Sequence, residues 1–210
     1  MKVLIVSPSF YPEIGAAASR IGYLADGLSE RGAEVDVLAP LPNHPFAKIF
    51  EGYRDKIFCE EVIHGHKVFR CRTYNTVSKN PLLRAIAMVS FAMMLWCFGF
   101  RRKLIKNYDL VIVQSPPLPV AYSAMKLFKG VFKKKVILNI SDLWPLTAVE
   151  LGAMRETGMS YRVFSHMEHS VYRKADAIMG QSEEIIDDIK VLEPHKKYFL
   201  YRNLKPDAGK

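Results

Sequence analysis

Lys2-Val-Leu-Ile-Val6, Ser7-Pro-Ser-Phe-Tyr-Pro-Glu-Ile-Gly15 and the run from Ala16 to Pro40 decide the fold. The first piece is a short, almost wholly apolar run of β-formers, the pattern of a strand buried on both faces. The second is a loop punctuated by two prolines and closed by a glycine. From Ala16 to Arg31 the spacing turns helical, because Ala17, Ile21, Leu24, Ala25 and Leu28 recur three or four residues apart. Gly32 stops that helix, and 33–39 reads as a second strand ended by Pro40. Strand, loop, helix and strand form a βαβ unit with a right-handed crossover. Such a unit puts Gly15 at the carboxyl edge of a parallel sheet, where open α/β folds bind ligands.

Working outward, the remaining chain continues the alternation. His64-Gly-His66 is expected as a solvated hairpin turn between strands at 57–63 and 67–73. Strands are expected at 109–113, 136–140, 175–179 and 197–201, and helices from Pro81, over 120–128, near Pro145, over 160–173 and from Ser182. A loop is expected over 114–119. With 210 residues, half of them apolar, the chain suits one α/β domain with a real core. Three widely spaced cysteines without a CxxC pair read as structural thiols of a reducing compartment. No signal peptide is recognisable at the amino terminus.

The net charge of +9 favours a polyanionic partner, such as phosphate groups, acidic lipid or nucleic acid, over a merely basic surface only evenly. Nucleic acid is the weakest of these, because the lysines lack interleaved exposed aromatic residues. Between Ala85 and Phe100 lie sixteen residues without a charge. Spanning a bilayer takes about 20, and Arg84 and Arg101 bracket this run too closely. Two placements remain: a helix buried against the sheet, or one partly in a membrane interface with Arg101, Arg102, Lys103 and Lys106 on lipid phosphates.

Several chemistries are excluded by their missing motifs. Neither GxGxxG nor GxxxxGK[ST] is present, and Asp36 falls inside a strand rather than at its tip, so nicotinamide and P-loop enzymes are disfavoured. No nucleophile elbow occurs, and His44, His166 and His169 lack partners at zinc-ligand spacing, so no metal is expected. Gly15 suits another task. The free N–H groups of a helix starting at Ala16 favour phosphate, and Arg20, one turn in, would add charge-assisted hydrogen bonds. At the end of a central strand, Ser141-Asp-Leu-Trp-Pro145 places an acid and an indole at the ligand edge. Asp142 reads equally as a reacting group or as a helix cap.

Tyr11-Pro-Glu-Ile-Gly15, Leu24-Ala-Asp-Gly-Leu28 and Arg31-Gly-Ala-Glu-Val35 resemble the opening of family 4 retaining glycosyltransferases. The stretch 109–117 and Ser141-Asp-Leu-Trp-Pro145 resemble the bacterial subgroup that builds capsule and O-antigen sugars, and Glu168, Tyr172, Ala175-Asp-Ala-Ile178 and Ser182 are similar to the helix–strand–helix usual before that family's interdomain crossing. The resemblance implies a Rossmann-like three-layer α/β domain with a mostly parallel sheet, spanning 1–200, as one half of a GT-B fold. It implies that Gly15 and Ala16, standing for the family's Gly-Gly, face the donor phosphates, with Arg20 beside them. Asp142 would be the acceptor-side catalytic residue, with Ser115, Pro116 and Trp144 holding the acceptor. The family's second domain, which binds the nucleotide-sugar donor, is missing from this stretch, so 201–210 is expected to begin the interdomain linker and the chain to be inactive alone. The expected partners are a nucleotide-sugar donor, a lipid-diphosphate-linked glycan and an anionic membrane, at the cytoplasmic face of the cell membrane, with no nucleic acid and no metal cofactor. The competing expectation is a non-catalytic phosphate- or sugar-binding module.

Overall fold

The computed structural model describes residues 1–78 and 80–202; the expected linker lies outside them from residue 203 on. Strand β1 (Lys2–Val6) passes through α1 (Ala16–Glu30) to β2 (Glu34–Pro40). The helix closes as expected: Gly32, at φ 81°, and Ala33 donate their N–H groups to Ser29 and Leu28, so the last carbonyls are satisfied. On α1 the buried residues are Ala18, Ile21, Gly22, Leu24 and Ala25. Ala17, expected on that face, is exposed, one step round the helix.

A hairpin, β3 (Phe58–Ile63) and β4 (His66–Cys71), forms the outer edge of the sheet. Its turn is as expected, but His66 is not solvated. It is the first residue of β4, buried, with Nε2 2.8 Å from Asp26 Oδ1. Then come α2 (Pro81–Gly99), α3 (Arg102–Lys106), β5 (Leu110–Ser115) and α4 (Leu118–Ala124). Only Pro116 and Pro117 remain of the loop expected over 114–119, because Pro119 is tolerated in a first turn where its missing N–H has no partner to lose. A π-helical segment, Met125–Val131, prolongs α4 past Gly130. The chain finishes with β6 (Lys135–Ile140), α5 (Leu146–Glu150), α6 (Met159–Lys174), β7 (Ala177–Gly180), α7 (Glu183–Leu192) and β8 (Lys197–Leu200).

The strands form one eight-stranded sheet in the order β3-β4-β2-β1-β5-β6-β7-β8, parallel except for β3. Alternation along β1 sorts its side chains to two faces. Val3 and Ile5 join Ile21, Leu24 and Val37 beneath α1. Leu4 and Val6 join Leu95, Val113 and Leu138 on the other face, under α2, α4 and α6. These three layers are the Rossmann-like arrangement expected. Chain order reverses between β1 and β5, so the crevice for a ligand lies beyond the carboxyl ends of those two strands.

Candidate functional site

The loop from Ser7 to Gly15 forms one wall of that crevice, and an acid that the sequence reading passed over shapes it. Glu13 is 4% exposed; its Oε1 accepts the N–H groups of Asn43 at 2.8 Å and His44 at 3.0 Å, and Ser9 Oγ donates to Oε2. This carboxylate ties the loops after β1 and β2 together. Between them opens a cleft of about 390 Å³, lined by Pro8, Gly15, Ala16, Ala17, Asn43 and His44. No side chain caps α1, so its first-turn N–H groups face this space with the positive end of the helix dipole behind them. Gly15 adopts φ 158° and ψ 164°, a backbone region kept almost entirely for glycine. Crowding is not the reason, since a Cβ there would meet His44 Nε2 at an ordinary 3.5 Å.

Arg20 does not line this cleft. Its carbonyl accepts a hydrogen bond from Tyr201 Oη at 3.3 Å, and its guanidinium makes no hydrogen bond or ion pair among the described residues. Burial lowers its pKa. Asp36 is equally removed from the edge: it is buried within β2 and accepts from Tyr108 Oη at 2.5 Å.

Two strands over, β5 and β6 end in a polar network. Gln114 Nε2 donates to Ser141 Oγ at 2.9 Å, and Asn139 Nδ2 donates to Gln114 Oε1 at 2.8 Å. Ser115 is buried and its carbonyl accepts the N–H of Ser141 at 3.0 Å, so it supports the edge from below. Above it, Thr147 Oγ1 donates to Asp142 Oδ1 at 2.6 Å. The cap role left open for Asp142 is not the one it plays, because α5 has Pro145 at its N-cap position and no side-chain cap. Asp142 Oδ2 has no hydrogen-bond partner among the described residues. Trp144 is half-buried, its ring set edge-on to Phe164 with centroids 4.3 Å apart. At a strand spacing of about 4.8 Å, the carboxyl ends of β1 and β6, two strands apart, are separated by about 10 Å.

Phe164, Glu168 and Tyr172 stand one turn apart on α6 and back the Trp144 loop. Tyr172 Oη donates to Glu168 Oε1 at 2.9 Å, and the Asp142 charge raises the Tyr172 pKa further, behind burial and Glu168. Burial pushes the Glu168 carboxyl up to about 7, against an ordinary value of 4.5. Its folded pKa lies above its unfolded one, so the folded state binds the extra proton and loses stability as pH rises from 4.5 to 7. Glu168→Gln, which mimics the protonated form, is expected to raise the melting temperature at pH 8 and to change it little at pH 5. Thermal unfolding at the two pH values checks this.

The basic cluster after α2 is divided. Arg101 is engaged by Glu60 and lies 5.9 Å from the Phe69 ring centroid. Arg102, Lys103 and Lys106 are exposed, with no side-chain partner among the described residues. Among those residues no group of three or more His, Cys, Asp or Glu is placed to hold a metal ion.

Residues 15–194 match the glycosyl transferase 4-like domain. The chain belongs to that family. Its fold recurs in the catalytic domain of starch synthase IV from Arabidopsis thaliana bound to ADP and acarbose, at TM-score 0.59 and 10% identity, covering 95% of this chain and 51% of that one. A structure described as trehalose-6-phosphate from E. coli bound with UDP-2-fluoro glucose gives TM-score 0.58 at 11% identity, covering 100% and 52%. Sucrose-phosphate synthase from Thermosynechococcus elongatus gives 0.57 at 9%, covering 99% and 91%. Comparison with curated proteins found no match. The chain thus spans about half the length of the first and second of these neighbours, which carry the GT-B fold.

Proposed function

We propose that this domain is the acceptor-side half of a retaining, nucleotide-sugar-dependent glycosyltransferase and is inactive alone. It builds capsule, O-antigen or related lipopolysaccharide sugars by extending a lipid-diphosphate-linked or polysaccharide acceptor at the cytoplasmic face of the cell membrane. The observation that carries this reading is Asp142: one carboxylate oxygen is held by Thr147 and the other has no partner among the described residues, at the sheet edge two strands from the uncapped start of α1. In this reading the first-turn N–H groups of α1 lie opposite the donor diphosphate and stabilise the charge that builds on it. Asp142 orients the acceptor hydroxyl and takes its proton, and Trp144 and Pro116 hold the sugar ring. The donor phosphate assists departure, so the mechanism calls for no protein nucleophile and no metal.

The test is transfer by the full-length protein from a panel of labelled nucleotide sugars to a lipid-diphosphate glycan, with the anomer of the product read by NMR. Retained configuration is expected. Failure to bind or transfer from any nucleotide sugar overturns the reading. A narrower test is Ala17→Glu. A carboxylate in the first turn stabilises a helix by about 0.3–1 kcal/mol, yet here it enters the cleft that would hold the phosphates. Thermal stability is expected to hold or rise while the donor Kd rises at least about tenfold, or ~1.4 kcal/mol, by calorimetry.

A further inference from the structure

Helix α2 has two apolar faces, and the fold uses one. Phe91, Leu95 and Phe98 are at most 3% exposed against the sheet, and Ser123 Oγ on α4 donates to the Ala92 carbonyl at 2.8 Å. On the opposite side Leu82, Ile86, Val89, Met93 and Trp96, followed by Phe100, recur at intervals of four and three and form one outward stripe. Leu82 is 67% exposed, Met93 64% and Phe100 85%. An apolar stripe this long on a soluble surface marks an interaction site. At its carboxyl end stand the exposed cations Arg102, Lys103 and Lys106, whose side chains have no partner among the described residues.

Charge decides the occupant. No carboxylate occurs in the chain between Glu61 and Asp109, and Glu60, beside this region, is already bridged to Lys67 and Arg101. Pairing with a second copy through the stripe would meet like charge at the flanks, where helix seams ordinarily place opposite charges. Spanning a membrane would pull Phe91, Leu95 and Phe98 out of the core. A helix lying flat, apolar side down with cations at the headgroups, satisfies both faces.

We propose that the outward stripe of α2, with the α3 cations beside it, docks the protein onto an anionic lipid bilayer. This rests on the lipid-linked acceptor proposed above. The inner side of the same helix supplies Ala87, Met88 and Phe91 to a groove of about 230 Å³ shared with Pro8 and Pro117, at the ligand edge of the sheet. Docking through α2 therefore holds that groove against the bilayer surface, where a lipid-borne sugar arrives.

Flotation of the full-length protein with vesicles of phosphatidylcholine alone, or mixed with phosphatidylglycerol, tests the proposal. Wild type is expected to float with the mixed vesicles at low salt and to lose most binding at high salt. Reversing Arg102→Glu, Lys103→Glu and Lys106→Glu together is expected to weaken partitioning at least about a hundredfold. Met93→Gln with Trp96→Gln, on the outer face, is expected to abolish flotation without changing the melting temperature. Absence of wild-type flotation at low salt, or undiminished flotation of the stripe variant, overturns the proposal. So does a dimer seen by light scattering that the stripe variant dissociates while vesicles bind nothing. Transfer to a water-soluble acceptor analogue is read separately: its loss with flotation intact overturns the functional reading alone.

Discussion

Arg70→Met is expected to destabilise the domain by about 3–5 kcal/mol, the loss usual when one member of a buried ion pair is removed. Arg70 is 1% exposed and is the largest fully buried side chain. Its Nε donates to Glu61 Oε1 at 2.8 Å, one terminal nitrogen donates to the Pro40 carbonyl at 3.2 Å, and the other donates to the Tyr11 carbonyl. The guanidinium thus joins the hairpin, the end of β2 and the loop that forms the cleft wall. Methionine fills much of the volume but leaves two carbonyls without their donors and the part-buried Glu61 carboxylate with Tyr53 Oη, at 2.7 Å, in place of a cation. Adding Glu61→Leu to Arg70→Met removes the stranded charge, so the double variant is expected to recover part of the loss. Urea unfolding of the three proteins measures this, and a single variant within about 1 kcal/mol of wild type contradicts it.

Asp142→Asn in the full-length protein is expected to lower kcat by roughly 10²–10⁴, the range for a positioned acid–base group. The fold is expected to be unaffected, because the amide oxygen of asparagine still accepts from Thr147. Asparagine keeps the shape and loses the proton acceptor. A turnover equal to wild type would remove Asp142 from the chemistry. Thr147→Val separates charge from placement: the carboxylate stays and its hydrogen bond goes, so a smaller fall in kcat is expected.

The layer order and the position of Gly15 were legible because period alone reports them. Lys2–Val6, the helix from Ala16 and the cap at Ser182 stand where the apolar spacing and cap residues put them. What the sequence hid is mostly long-range polar pairing. Glu13 stands in a proline-bearing loop and looks solvated until Asn43 and His44, thirty residues on, bring their N–H groups to it. His66 was misread for the same reason, since Asp26 reaches it from α1 across forty residues. Arg20 shows the converse. Helical spacing put it one turn from Gly15, but rotation about the helix axis carries its side chain away from the cleft. Only a motif giving the loop geometry of 7–15 would have exposed the role of Glu13.

That buried carboxylate has a consequence for binding entropy. Two loops that would otherwise have to be ordered by an incoming phosphate are held to each other before any ligand arrives. Ordering an exposed backbone residue costs on the order of 1–2 kcal/mol, so a wall already fixed spares the ligand that cost several times over. On the proposed reading, a diphosphate entering the cleft meets amides already aimed, and slow hydrogen exchange at Asn43 and His44 should be a property of the empty protein.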